Sequence, residues 1–171
     1  LGDLSARIEA FLDAHHVMTL ATSGDAGAHA ASLMYARAGL TLHWMSDPQS
    51  RHSVYLERDA RVTVTIAPDY TDFKLIRGLQ IAGRARRLAG AESDAARAAL
   101  LARYSFLAEL ASGPSKLRAA FAQAAFYALV AERITLIDNT RGFGHKETLT
   151  PQPQTGVAPK GGNGVEPGIA S

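Results

Sequence analysis

Residues 44–59, WMSDPQSRHSVYLERD, change character halfway along. They begin as the end of an apolar run through Leu40, Leu42 and Trp44 and finish as the opening of a helix. Between the two stand Ser46, Ser50, Arg51, His52 and Ser53. Three hydroxyls and two cation-capable side chains at a strand-to-helix junction suit an anion. The first turn of a helix already offers free N–H groups and the positive end of its dipole. An arginine adds a planar fork matched to phosphate oxygens, and hydroxyls complete the shell. The same residues also suit a plain helix cap by Asp47 or Ser50 with Arg51 in solvent, so chemistry alone leaves both readings open.

Two other stretches carry candidate ligand groups. In YTDFKLIRGLQIAGRARR (70–87), alternation along an extended chain puts Lys74, Ile76, Gly78, Gln80 and Ala82 on one face. A glycine beside Gln80 and Lys74 leaves room for a flat ligand and supplies donors to its edge, although an ordinary polar strand face fits equally. In LIDNTRGFGHKETL (136–149), Asn139, Thr140, Gly142, Phe143, Gly144, His145 and Lys146 follow an apolar strand. Gly-Phe-Gly presents one ring on a backbone able to approach a ligand closely. A glycine-rich turn with a packing Phe is the competing reading. The stretch is not a dinucleotide fingerprint, because the later glycine and the strand–helix context are missing.

Other chemistry is excluded more firmly. The chain has 171 residues and no cysteine, so disulfides, thiolate metal sites and cysteine nucleophiles are absent. His15 and His16 are adjacent and diverge, while His29, His43, His52 and His145 are scattered, so no metal site is expected. Neither a G-x-S-x-G elbow nor a phosphate-binding P-loop is present. The net charge of +2 is near balance, and the cluster Arg84, Arg86 and Arg87 is too small to indicate nucleic acid. No run approaches the ~18 apolar residues of a membrane span. The opening LGDLSARIEAFLDAHH lacks the basic and apolar blocks of a signal peptide, so a cytoplasmic protein without membrane partners is expected.

The elements that position these stretches follow from periodicity. Leu4, Ile8, Phe11 and Leu12 mark an opening amphipathic helix. Strands are expected at 17–22, 28–36, 40–46 and 61–66, with a short helix over 49–58 between the last two. In RVTVTI, Val62, Val64 and Ile66 alternate cleanly against Arg61, Thr63 and Thr65. A long extended stretch follows over 74–88, interrupted by Gly78 and Gly83, then short helices over 92–122 and a last strand over 126–138. Beyond Thr150 lie four of the seven prolines, which divides the chain into a domain over 1–149 and a Pro/Gly-rich tail over 150–171. The βαβα alternation of a doubly wound sheet is missing. The expected fold is mainly β with peripheral helices, a six-stranded antiparallel barrel, closed or split.

Taken together, the three stretches resemble the pyridoxamine 5′-phosphate oxidase-like FMN-binding split barrels, over about residues 4–149. Strand, Ser46, a four-residue step, SRH, short helix and RVTVTI resemble that family's strand, Thr, SRK, helix and alternating strand. KLIRGLQIAGRARRL with ERITLIDNTRGFGHKETL looks like an uncharacterised branch of it. The resemblance implies that Ser46, Ser50 and Arg51 hold the phosphate of FMN, with His52 standing where the family has Lys. It implies that the strand around Ala30–Tyr35, including Ser32 and Leu33, meets the flavin edge, with Met45 beside the phosphate stretch. Lys74, Gln80, Asn139, Phe143 and Lys146 would complete the site across a homodimer interface. The only Trp is Trp44, and RGFGHKE stands in place of the family's C-terminal Arg-x-His, so vitamin B6 oxidation is not expected. The implied activity is a flavin-dependent oxidoreductase or flavin reductase acting on a small redox substrate. The alternatives are a haem-binding or haem-degrading relative, with His29, His43, His52 or His145 as axial ligand, and a non-catalytic flavin-binding or regulatory module. Apolar runs longer than one barrel interior needs point to a dimer burying more than the ~2,000 Å² of a standard interface.

Overall fold

A computed structural model describes residues 2–152. The expected tail lies, from residue 153 on, outside the described residues. The order is helix α1 (Gly2–Ala14), strands β1 (Val17–Gly24), β2 (Gly27–Met34), β3 (Ala36–Ala38) and β4 (Thr41–Ser46), helix α2 (Arg51–Arg58), and strands β5 (Arg61–Ile66) and β6 (Arg77–Arg87). Helices α3 (Gly90–Arg103), α4 (Phe106–Ser112) and α5 (Ser115–Gln123) precede the long β7 (Ala125–Asp138) and the short β8 (Lys146–Leu149). All pairings are antiparallel, in the order β2-β1-β5-β6-β7-β4-β3, with β8 also on β7. The two edge strands, β2 and β3, are consecutive in the chain and separated only by Tyr35. The sheet therefore curls until its edges meet, which makes this a split barrel.

Eight strands replace the expected six. The strand expected over 28–36 breaks at Tyr35, which is fully buried and donates its hydroxyl to the Leu12 carbonyl. Strand β8 forms because Gly142 and Gly144 adopt positive φ (134° and 72°) and fold the chain back onto β7. The stretch expected to be extended from Lys74 starts only at Arg77. Residues Phe73–Leu75 form a 3₁₀ turn, and the Asp72 carboxylate accepts the Lys74 N–H at 2.9 Å. Lys74 therefore does not share a strand face with Gln80.

The inner face of the barrel is filled by Met18, Leu20, Val62, Val64, Ile66, Leu79, Ile81, Leu129 and Ile134, with Trp44 stacked on Tyr127 across the β4–β7 ladder. Helix α1 plugs one side through Ile8, Phe11 and Leu12. A second apolar cluster lies under the helices, where Leu100, Tyr104, Leu107 and Phe121 cover Ala36, Phe126 and Ala128. Arg7 of α1 pairs with Glu147 of β8, and the guanidinium holds that carboxyl at about 2. A depressed carboxyl pKa contributes stability above the unfolded value and loses it as pH falls through the folded one. The α1–β8 tie is thus expected to weaken between about pH 4.5 and pH 2. Comparing the acid-unfolding curve of Glu147→Gln with that of the parent checks this, since the variant should lose this part of the acid dependence.

Candidate functional site

At the end of β4 the chain turns through Asp47 and Pro48 into α2. Ser50 occupies the N-cap position but makes no side-chain cap, and the Asp47 carboxylate accepts from the Gln49 N–H at 2.8 Å. Neither residue caps the helix. The N–H groups of Arg51, His52 and Ser53 consequently have no intrahelical acceptor, as in any uncapped first turn. The Ser50 hydroxyl instead donates to Ser53 Oγ at 2.8 Å. Ser46 Oγ lies 2.7 Å from His52 Nε2, which is also 3.1 Å from Ser50 Oγ, and the two serine oxygens are 3.2 Å apart.

His52 is thus a buried hub rather than an exposed cation; it and Ser53 are 7% and 0% exposed. Burial, and secondarily the neighbouring His29, push its pKa below the ordinary histidine value, so the imidazole is neutral at pH 7. The His29 ring lies parallel to it, with centroids 6.2 Å apart. Arg51 is exposed and makes no ion pair or side-chain hydrogen bond among the described residues. The junction therefore combines fixed hydroxyls, a neutral imidazole behind them, free helix N–H groups and one uncommitted guanidinium. That set of donors suits a dianionic phosphate.

Other candidate residues fall into distinct places. Gln80 lies on the outer face of β6 with Thr65 and Thr135 as cross-strand partners. Ser32 lies on that same face, because Ser32 pairs with Thr19 and Thr19 with Thr65. Leu33 faces the opposite way and packs against the core. Met45 packs against the cluster under the helices, on the face of β4 opposite to Trp44 and hence to Ser46. Strand β2 pairs only with β1, so the outer edge of its backbone stays available.

Asn139, Phe143, Lys146 and Lys74 form a separate group at the other end of the barrel. Asn139 locks it, donating from Nδ2 to the Phe73 carbonyl at 2.7 Å and accepting the Gly144 N–H on Oδ1 at 3.1 Å. The Phe73 and Phe143 rings meet edge to face at 5.8 Å, and Phe143 is 86% exposed. Ser46 pairs with Ala125, the first residue of β7, whereas Asn139 follows its last. Fourteen residue steps separate Ala125 from Asn139, about 46 Å along the chain path at ~3.3 Å per residue. One chain does not bring the two groups together.

Sequence reasoning missed the inward role of His52, although His52, Tyr55 and Leu56 share a helix face at i, i+3 and i+4 and all are buried. Among the described residues, no set of three or more His, Cys, Asp or Glu is arranged to hold a metal, and no helix is long and apolar enough to cross a membrane.

Comparison with known proteins agrees with this architecture. The sequence pattern of the family described as pyridoxamine 5′-phosphate oxidase matches residues 4–138. A UPF0306 protein of Serratia proteamaculans is 31% identical over 142 residues, covering 82% of this chain and 90% of its own length. The structure of a haem-binding protein from Mycobacterium smegmatis superimposes with a TM-score of 0.66 at 26% identity; 85% of this chain spans 58% of that one. A FAD-binding protein from Mesorhizobium loti gives a TM-score of 0.57 at 19% identity, over 76% of this chain and 91% of the other.

Proposed function

Because the chain belongs to the pyridoxamine 5′-phosphate oxidase family, we propose that it binds FMN at a homodimer interface and acts as an oxidoreductase or flavin reductase on a small redox substrate. The observation that carries the reading is the uncapped start of α2 beside the Ser46–Ser50–His52 cluster, with Arg51 left unpaired. Arg51 and the N–H groups of residues 51–53 hold the phosphate. His52 does not reach the anion: its Nε2 orients the two serine hydroxyls, so it is a positioning residue in place of the family's cation. When bound, the flavin supplies the redox chemistry. The chain's own part is to anchor the phosphate, to lay Ser32 and the free edge of β2 along the ring, and to exclude water. Lys74, Asn139, Phe143 and Lys146 serve the site of the partner protomer, since their own phosphate cluster lies at the far end of the barrel. Gln80 lines the face between the two.

Arg51→Ala is expected to lower FMN affinity roughly ten- to a hundred-fold, the loss of one charge-assisted hydrogen bond of about 1.5–3 kcal/mol. Riboflavin, which has no phosphate, should bind the variant and the parent almost alike in a fluorescence-quenching titration. Equal losses for both ligands would remove Arg51 from the phosphate site.

The 26% identity to a haem-binding protein favours a second reading, haem in place of flavin. With Nε2 of His52 engaged by two serines, His29, His43 and His145 remain as axial candidates. The visible spectrum of the purified protein separates the readings, through flavin bands or a Soret band. A protein that stays colourless with either added would support a non-catalytic module.

A further inference from the structure

Few hydrogens are available to the side chains at the start of α2. Ser50 has one, and it is spent on Ser53 Oγ at 2.8 Å. Ser53 is fully buried, so its oxygen has no water as a substitute donor. The 2.7 Å contact between Ser46 Oγ and His52 Nε2 needs one more hydrogen, and either atom can supply it. With Nε2 bare, Ser46 donates to the ring, and both serine oxygens show only lone pairs to an incoming anion. With a hydrogen on Nε2, the ring donates to Ser46 Oγ and also lies within reach of Ser50 Oγ at 3.1 Å. The Ser46 hydrogen is then released toward a ligand.

A phosphate selects the second arrangement, because its oxygens accept hydrogen bonds and are repelled by lone pairs. Two forms of the ring provide it, the neutral Nε2–H tautomer and the imidazolium. An anion favours the imidazolium further, since that charge sits one hydroxyl behind it. The chain itself does not supply such a partner. Helix α2 packs on β1, β2 and β6. Strand β2 brings His29, parallel to the ring at 6.2 Å, and β1 brings the uncharged Thr22. Arg84, Arg86 and Arg87 of β6 are exposed, as are Arg51, Glu57 and Arg58 of α2 and Asp47 before it, while Tyr55 is buried beside His29. Of all these, only His29 bears on the titration of His52, and it adds to burial in opposing the charge.

We infer that ligand binding and protonation are coupled at this junction: a phosphate-bearing flavin binds with His52 Nε2–H donating to Ser46 Oγ and Ser46 donating to the phosphate, and His52 takes up one proton from solvent as it does so. The coupling rests on the phosphate-site reading above and makes that site conditional on pH. A lysine in the same place would stay charged throughout the physiological range. The sign follows from linkage. A ligand that prefers the protonated ring raises its pKa, binds tightest below the free value, and loses affinity as pH rises from the free value to the bound one. His52 is a positioning residue here, acting on the anion through Ser46.

The imidazole signals of the protein, followed by NMR from about pH 5 to about pH 8, test this. Saturating FMN should raise the His52 midpoint by about one pH unit or more, which is a roughly tenfold preference for the charged ring, and should place a hydrogen on Nε2. Riboflavin, which has no phosphate, should leave the midpoint within about 0.3 of the free protein's. His52→Gln keeps an N–H donor for Ser46 and cannot titrate. The FMN affinity of the parent divided by that of the variant should therefore fall at least about fivefold across the same range, the ionisation of the phosphate being common to both. FMN that moves the amide signals of residues 46–53 but leaves the His52 midpoint unchanged, or leaves Nε2 bare, overturns the coupling while the phosphate site stands. A flat affinity ratio does the same. Amides of residues 46–53 untouched by FMN overturn the phosphate site itself.

Discussion

Gly83→Ala is expected to lower the unfolding midpoint by roughly 6–12 °C, the shift that about 3 kcal/mol produces in a chain of this size. A Cβ built on Gly83 meets the Val130 carbonyl oxygen at 2.2 Å, Leu129 Cδ1 at 3.0 Å and Ala131 Cα at 3.1 Å. Two of these three are backbone atoms of β7, so no rotamer change relieves the contact. Overpacking typically costs about 1–3 kcal/mol when side chains can adjust, and the upper end applies where the backbone must move. Gly78→Ala is the matched control on the same strand: its Cβ lies 3.1 Å from the Ile66 carbonyl oxygen and otherwise meets ordinary contacts. That variant should lose no more than about a third as much. Thermal unfolding of both variants checks the pair of effects. A midpoint for Gly83→Ala within a degree or two of the parent would mean that the two strands are not packed this closely.

Much of this arrangement is legible in the sequence, and the reasons for the exceptions are physical. Strand β5 reads directly, because Val62, Val64 and Ile66 are buried while Arg61, Thr63 and Thr65 are exposed. Helix α1 reads from Ile8, Phe11 and Leu12. The spacing of Ser46, Ser50 and His52 also reads as one cluster, and the three side chains do come together. What does not follow from residue types is which way His52 points: the packing of α2 against the barrel decides it, and periodicity on an eight-residue helix is a faint signal. Alternation alone puts Lys74 on a strand face, and the short-range Asp72 hydrogen bond overrides that. A bulge in β7, where Ala82 pairs with Arg133 and Gly83 with Ala131 so that Glu132 is the extra residue, also leaves a trace. Buried positions Tyr127, Leu129 and Ala131 are odd, whereas Ile134, Leu136 and Asp138 are even, a change of phase that only an extra residue explains. Pairing register between distant strands is needed to locate its partner at Gly83. The separation of the two ligand-type groups to opposite ends of the barrel likewise depends on how β4 and β7 pair, which is a property of the sheet and not of either segment.

Arg103→Met is expected to destabilise the fold by about 2–3 kcal/mol, the upper range for losing charge-assisted hydrogen bonds and leaving carbonyls without a donor. The side chain is 17% exposed and runs from the last turn of α3 to the C-terminal end of α1. There its Nη2 donates to the carbonyls of Leu12, Asp13 and His15 at 3.2, 3.1 and 2.6 Å. The last carbonyls of a helix have no intrahelical donor, and the negative end of the dipole favours a cation beside them, so one guanidinium meets both needs. Its plane also rests near the Tyr35 and Tyr104 rings, at 5.4 and 5.8 Å. Those tyrosines extend the same network: Tyr35 donates to the Leu12 carbonyl at 2.8 Å, and Tyr104 to the Tyr35 carbonyl at 2.5 Å. Tyr35 is the one residue linking the two edges of the sheet, so Arg103 helps to hold the barrel's seam as well as α1. Methionine keeps most of the volume and the helix propensity but takes the donor from the Asp13 and His15 carbonyls and leaves Leu12 with the Tyr35 hydroxyl alone. Arg103→Lys retains the charge yet lacks the planar fork, and should recover less than half of the loss. Hydrogen exchange distinguishes a seam from a general weakening. Amides of α1 and the β2–β3 junction should exchange faster in Arg103→Met by more than those of β5 and β6. Uniform acceleration across all four elements, or an unchanged unfolding midpoint, would show that α1 is held by its apolar face alone.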